Sequence, residues 1–300
     1  MSELTEPKVH IIILNWNGKE DTIECLKSIK GLRYSNYETV VIDNASTDGS
    51  VSEIEHTFPG ITLLESEINR GYAGGNNIGL RYALDHDADY VWILNNDTIV
   101  HENALGSLIE KIEADSSIGI CGSRLIYYHD RETIQALGGG TYNKWLGTTA
   151  HVGANEPASI HFNEKEIERR LDYIVGASML VSDQFLKEVG LLSEDYFLYY
   201  EELDWSLRAK GTFKLGYADS SLVYHKEGAS IKGNNVKLNS KSRLSDYYQI
   251  KNRLKFTWKF YPQFLPVVYL TVFYSMLNRI KRKQWKRIPM ILNICFTFNK

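Results

Sequence analysis

Cysteine is scarce in this chain. Its 300 residues hold three, Cys25, Cys121 and Cys295, widely separated and without C-x-x-C or any metal-ligand spacing. A disulfide scaffold is excluded, and the usage fits a reducing compartment. The polar, acidic start MSELTEPK has none of the apolar stretch that a signal peptide needs. An apolar run at 264–277 extends for about 14 residues, short of the roughly 20 that span a bilayer. Three motifs are missing as well. There is no G-x-x-x-x-G-K-S/T and no G-x-S-x-G, and the first apolar run turns through NWNG where a dinucleotide-binding G-x-G-x-x-G would stand. P-loop phosphoryl transfer, α/β-hydrolase chemistry and hydride transfer from a bound dinucleotide all lose their signatures.

Acids are nearly absent from one end only. Residues 241–300 carry 13 Lys and Arg against one acid, Asp246, whereas the first 240 residues hold a balance of −15. An acidic body therefore precedes a basic tail. With 43% hydrophobic and 12% aromatic residues, the chain has material for a sizeable core. Apolar runs at 9–14, 39–42, 61–64 and 90–94 alternate with helix-like stretches at 20–29, 49–58 and 76–84. In the first stretch Ile23, Leu26 and Ile29 recur every three residues, as an amphipathic helix requires. This alternation predicts βαβ units and a parallel sheet covered on both faces. From 116 to 162 the pattern loosens into short strands and loops. Order returns with an apolar strand-like run at 171–181, a helix over 199–210 ending at Gly211, and two final strands at 213–218 and 221–225. Residues 226–242, rich in Gly, Ser, Asn and Lys, read as a mobile loop.

In an open α/β sheet, ligands gather at the carboxyl ends of the strands. Three polar clusters stand there: Asn15-Trp16-Asn17-Gly18, Asp43 through Gly49, and Asn95-Asn96-Asp97. Each alone is also what a turn or helix cap would use; together they point to one functional rim. The segments IIILNWN (11–17), VIDNASTDGS (41–50), NRGYAGGNN (69–77), LNND (94–97) and YYEELDWSLRAKG (199–211) resemble, in this order, the family 2 glycosyltransferases. The branch they resemble contains bacterial rhamnosyltransferases and related polysaccharide enzymes, and the resemblance covers roughly residues 8–226. It implies an α/β GT-A fold, a nucleotide-sugar donor, a divalent metal (Mn²⁺ or Mg²⁺) and inversion at the anomeric carbon.

Sugar transfer needs a diphosphate neutralised, an acceptor hydroxyl deprotonated and a nucleoside held. A hard cation on carboxylate oxygen suits the first task. Asp97 ends an apolar strand where such an ion would sit, but Asn95 and Asn96 replace the acids usual at this point of the family. Asn96 is left to hydrogen-bond ribose or metal-bound water. His225 ends another apolar stretch; such a histidine is often only structural, but the resemblance implies a metal ligand. Asp43 corresponds to the residue that binds the nucleobase side of the donor, and an acceptor-only carboxylate suits the imide N–H of uracil or thymine. UDP and dTDP donors are equally compatible. The resemblance places Asn15 and Arg70 beside the base, although Arg70 also reads as a solvated charge at a helix start. Gly176 and Ala177 resemble a G-A-x-M strand that lies beside donor and acceptor; small residues there also permit tight packing.

Glu202 aligns with the catalytic base, with Glu201 as the fallback. Most relatives have Asp there, so this chain carries one more methylene. Asp204 and Arg208, four apart, read as a helical ion pair. The basic, aromatic tail fits either an interfacial helix on anionic lipid or a contact between copies of the chain, and it contains no nucleic-acid-binding module. Within it Tyr247, Tyr248, Lys251 and Asn252 resemble a Tyr-Tyr-x-x-Arg-Asn element of the same branch, implying an acceptor contact. The expected organisation is a catalytic domain over 1–225, a loop over the donor site at 226–242 and a helical tail at 243–300. The expected function is metal-dependent, inverting transfer to a hydroxyl of a glycan acceptor (polysaccharide, lipid-linked sugar or glycoprotein glycan), in the cytoplasm or on the inner face of the plasma membrane. The alternative is a nucleotide-sugar-binding or scaffolding homologue without turnover.

Overall fold

The computed structural model describes residues 6–226 and 242–299. The expected loop at 226–242 therefore lies, apart from its two end residues, outside the described residues. The elements run β1 (Val9–Asn15), α1 (Lys19–Ile29), β2 (Tyr37–Asp43), α2 (Ser50–Thr57), β3 (Thr62–Glu65), α3 (Gly71–Asp85), β4 (Tyr90–Asn95), β5 (Thr98–Val100), α4 (Ala104–Glu113) and β6 (Ile118–Tyr127). There follow β7 (Asp130–Leu137), β8 (Gly139–Asn143), β9 (Thr148–His151), α5 (Glu164–Glu168), β10 (Tyr173–Ile174), β11 (Ser178–Ser182), α6 (Asp183–Val189), α7 (Glu201–Arg208) and β12 (Lys214–His225). Three helices close the chain: α8 (Arg243–Phe260), α9 (Leu265–Lys281) and α10 (Ile288–Thr297).

The main sheet has the order β3-β2-β1-β4-β11-β6-β12-β5, with β7 also paired to β6. Its first four strands are parallel, as the βαβ pattern predicts; β11 then runs antiparallel to both β4 and β6. The run VHIIILN of β1 is almost wholly buried because helices cover both faces of the parallel half. The same register brings Asn15 opposite Asp43 and Leu14 opposite Asn95, so the three polar clusters do meet on one rim.

Helix α3 begins five residues earlier than apolar periodicity suggests, at Gly71, because its glycines form a packing face. A Cβ on Gly79 would stand 2.6 Å from Ile12 Cγ2 and 2.7 Å from Ile42 Cδ1. The backbone of α3 can lie on β1 and β2 only because side chains are missing there. Two other expectations are corrected. The run at 171–181 is two strands, β10 and β11, separated where Gly176 and Ala177 leave the ladder. The two final strands are one, β12, whose pairing with β6 shifts register between Ala218 and Leu222. An irregularity inside one strand reads in sequence like a gap between two.

The tail folds against the body. Phe256 of α8 belongs to the main core and meets Tyr142 edge-on at 4.9 Å between ring centroids. Ile250 and Leu254 form a second core with Val268, Val272 and Met276 of α9 and with Ile291 and Ile294 of α10. Asp246, the only acid of the basic end, is buried and accepts from Arg279 at 2.5 Å and Arg287 at 3.0 Å.

The glycine face gives a stability prediction of opposite sign to helix propensity. Gly79→Ala gains up to about 1 kcal/mol in propensity, but overpacking against Ile12 and Ile42 costs about 1–3 kcal/mol. Urea unfolding is expected to show net destabilisation; a more stable variant would contradict the packing account.

Candidate functional site

At the rim of β1 and β2, the buried side chains of Asn15 and Asp43 form one network. Asn15 Nδ2 donates to Asp43 Oδ1 at 2.8 Å and to Ser46 Oγ at 3.1 Å, while the Ser46 backbone N–H donates to Asp43 Oδ2 at 2.8 Å. Thr22 of α1 donates to Asn15 Oδ1 at 2.8 Å. Asn96 joins from the end of β4 by donating to Thr22 Oγ1 at 3.0 Å. Both oxygens of Asp43 thus have protein donors and retain lone pairs for another. Asn44 ties the next piece on: it accepts from the Arg70 backbone N–H at 2.9 Å and donates to Gly71 O at 3.1 Å. The Arg70 side chain is exposed, with Nε donating to Ser66 Oγ at 3.2 Å. It stands at the same rim without touching Asn15 or Asp43.

Asp97 and His225 are distant in sequence and adjacent in space, because β5 pairs with the end of β12. Asp97 Oδ1 lies 3.1 Å from His225 Nε2, and both residues are more than nine-tenths buried. The other ring nitrogen, Nδ1, meets Gln135 Oε1 at 2.9 Å. A ring proton on Nδ1, donated to the Gln135 carbonyl, would leave the Nε2 lone pair beside the Asp97 carboxylate, with the Asn95 amide nitrogen 3.5 Å away. Two electron-rich atoms at this distance call for a proton or a cation. Their spacing also matches two neighbouring ligands of an octahedral ion, about 3 Å apart for bonds of about 2.1 Å. The donor set therefore fits a hard divalent cation, with two protein ligands. Among the described residues no cluster of three or more His, Cys, Asp or Glu offers a fuller cage.

The third component is the start of α7. Tyr199 and Tyr200 both have left-handed backbones, with φ of 70° and 76°. Each costs about 1–2 kcal/mol for a residue with a Cβ, and together they turn the first residues of α7 inward. Glu201 is buried, Glu202 half-buried, and each has one Oε shielded from water and without a hydrogen-bond partner. Burial, then the neighbouring Glu202, hold the Glu201 carboxyl well above the carboxylate range. Burial pushes Glu202 up to about 7. A helix dipole would lower both, but its roughly 0.3–1 kcal/mol is under one pKa unit; desolvation wins. Both carboxyls are thereby held above the ordinary carboxylate range, and side by side in a dry site they resist ionising together.

Tyr72 connects this helix to the strands. Its phenol, kept neutral by burial and then by Glu202 and Glu201, donates to Gly176 O at 2.6 Å. A Cβ at Gly176 would lie 2.7 Å from that hydroxyl. Beside it, Ala177 O accepts from the Asn95 backbone N–H at 3.1 Å. Gly176 and Ala177 thus bridge the acid pair and the Asn95–Asp97 turn. The Asp204–Arg208 pair forms at 2.8 Å, and Lys259 joins Asp204 at 2.5 Å. Sequence reasoning passes over Gln135 and Tyr72. Gln135 sits in the loosely patterned middle and carries no signal of its own; Tyr72 lies inside NRGYAGGNN, where the glycines draw the eye.

The family model for glycosyl transferase family 2 matches residues 10–162. Among curated proteins, the chain is 30% identical over 201 residues to the low-salt glycan biosynthesis hexosyltransferase Agl10 of Haloferax volcanii, covering 67% of this chain and 61% of that protein. It is 22% identical over 246 residues to the dTDP-rhamnosyl transferase RfbF of Shigella flexneri, covering 81% and 78%. The match to glycosyltransferase GlyG of Streptococcus pneumoniae covers 44% of this chain and 42% of that protein, so the chain matches about half the length of these relatives. Among solved structures, the mannosyltransferase PcManGT of Pyrobaculum calidifontis with GDP-Man and Mn²⁺ superposes with a TM-score of 0.60 at 14% identity, over 98% of this chain and 88% of that one. GalNAc-T7 with UDP, GalNAc and Mn²⁺ gives 0.66 at 18% identity, over 88% and 50%. At such identities the likeness shows the fold, GT-A, and no more.

Proposed function

The chain belongs to glycosyl transferase family 2, and on that premise we propose that it moves a sugar from a UDP- or dTDP-sugar to a hydroxyl of a glycan acceptor, with inversion and a divalent metal. The observation that carries the reading is the buried acid pair at the start of α7: each carboxyl has an oxygen shielded from water and without a hydrogen-bond partner, and burial raises both, Glu202 to about 7. A single displacement needs one base facing the acceptor and no protein nucleophile. Glu202 takes the acceptor hydroxyl proton as that oxygen bonds to the anomeric carbon. The bond from that carbon to the diphosphate oxygen breaks, and the diphosphate leaves with the electron pair. Asp97 and His225 would hold Mn²⁺ or Mg²⁺, which when bound spreads the negative charge of the leaving group. Asp43 and Asn15 receive the base and ribose side, with Arg70 at the edge; Gly176 and Ala177 let the backbone lie close to the bound sugar. The Mn²⁺ and nucleotide ligands printed for PcManGT and GalNAc-T7 support this assignment by likeness of fold.

Asn95 and Asn96 in place of acids favour the second reading, a nucleotide-sugar-binding homologue without turnover. The paired Asp97 and His225 and the raised Glu202 favour the enzyme.

The tail supports a further part of the proposal, a peripheral seat on an anionic membrane. Leu270, Phe273, Tyr274 and Leu277 form an exposed apolar stripe on α9, with Leu292 and Phe296 exposed on α10 and Lys281, Arg282, Lys283 and Lys286 between the helices. Among the described residues no helix is long and apolar enough to cross a membrane.

Three measurements test these assignments. Glu202→Gln is expected to lower turnover by about 10²–10⁴ with donor affinity retained, and parent activity should rise with pH to half its plateau at about 7; a variant near full turnover would pass the role to Glu201 or end the mechanism. Asp97→Asn should abolish the thermal stabilisation that Mn²⁺ plus nucleotide sugar gives the parent; undiminished activity in EDTA would remove the metal. In flotation with anionic vesicles, Phe273→Glu with Leu277→Glu should leave the protein unbound. If the parent ignores vesicles and the double variant instead loses its oligomeric state, the stripe is a contact between copies.

A further inference from the structure

The Tyr-Tyr-x-x-Lys-Asn element of α8 resembles an acceptor contact in sequence, but Asn252 is turned the other way. It is 1% exposed, and its two amide hydrogens go to consecutive backbone carbonyls, Leu198 O at 2.8 Å and Tyr199 O at 3.0 Å. No acceptor can reach it. These carbonyls belong to the left-handed turn that aims Glu201 and Glu202 inward, and α8 grips every residue of that turn. Phe197 stacks on Tyr248 with centroids 4.8 Å apart, the Tyr199 hydroxyl meets Ser245 Oγ at 2.9 Å, and the Tyr200 ring packs on Phe256 at 5.6 Å.

We infer that Asn252 is a positioning residue for the proposed base: by holding the backbone of Leu198 and Tyr199 from outside the catalytic body, it fixes where the Glu202 carboxylate points. The inference rests on Glu202 being that base. Two consecutive left-handed residues with side chains do not persist unless their surroundings over-determine them; the Tyr72 N–H holds the Phe197 carbonyl at 2.7 Å, and Asn252 holds the next two carbonyls. The carbonyls of Leu198 and Tyr199 point away from α7, so that helix cannot satisfy them; a side chain with two donors on one nitrogen can. Lysine or a hydroxyl at position 252 would lack that planar pair. α8 is therefore part of the reacting apparatus by geometry, with Asn252 acting on the base only through the turn it holds.

Loosening the turn has a consequence that simple loss of packing lacks. The groups facing Glu202 are Glu201 beside it, Tyr72 from α3, Tyr173 from β10 and Tyr200 from the turn, and burial holds all three phenols neutral near pH 7. With no cation among them, admitting water can only lower the Glu202 pKa. The test compares the full chain with Asn252→Ala and with the milder Ser245→Ala, which removes a second tie from the same helix. Hydrogen exchange over 197–203 is expected to quicken about tenfold or more in folded Asn252→Ala, and to a smaller degree in Ser245→Ala. Turnover should fall about tenfold with donor KM within about twofold, and the acid limb of the activity profile should move to lower pH. Unchanged exchange across the turn in a folded Asn252→Ala overturns the inference. So does quickened exchange with turnover and acid limb both unmoved, provided Glu202→Gln is inactive. If Glu202→Gln is itself active, the base assignment has failed separately, and exchange alone then decides whether Asn252 holds the turn. Should Asn252→Ala not fold, the same readouts on Ser245→Ala decide.

Discussion

Two adjacent glutamates at the first turn of a helix would ordinarily face water. Here the cost of removing them from it organises much of the molecule. Turning α7 inward requires Tyr199 and Tyr200 in left-handed conformations, and those require the grip of α8. Once inside, the two carboxyls cannot both ionise in so dry and crowded a place. Burial raises both, Glu201 well above the carboxylate range and Glu202, with part of its surface still open, to about 7. A stabilising hydrogen bond to either unpartnered oxygen would relieve the strain and remove the reactivity with it.

The rest of the rim is arranged by the sheet. Parallel strands β1, β2 and β4 end together, so Asn15, Asp43 and the Asn95–Asp97 turn lie side by side without any of them being near the others in sequence. The antiparallel insertion of β11 between β4 and β6 then carries Gly176 and Ala177 to the same end, and β12 returns His225 to Asp97 through β5. Tyr72, one residue into the glycine face of α3, closes the circuit by bonding Gly176 while standing against the acid pair. Small residues do the same physical job at both places: they let backbones approach where side chains would hold them apart.

The basic tail has two unlike faces. One packs inward, where Asp246 of α8 pairs with Arg279 of α9 and with Arg287 just before α10. The opposite face leaves Leu270, Phe273, Tyr274 and Phe296 bare. The same segment thus braces the turn before α7 on one side and presents an apolar, cationic surface on the other.

Period and spacing alone determined the parallel half of the sheet, since fully buried strands such as VHIIILN and helices at three-residue spacing leave few other folds. They also determined that polar clusters after β1, β2 and β4 share a rim, because parallel strands must end together. The segments resembling the family drew attention to Asp97, His225 and Glu202, of which the fold brings the first two within 3.1 Å of each other. What only the tertiary structure decided depends on contacts between distant residues. Gln135 orients His225 across 90 positions, and no local pattern marks it. Glycines at 75 and 79 read as loop or motif until β1 and β2 lie beneath them. The register shift in β12 looked like a strand end, because a bulge and a gap break alternation alike. That the two acids are raised at all is likewise absent from EELDW: it is set by how little water the pair retains once Tyr72, Tyr173 and α8 have closed around them.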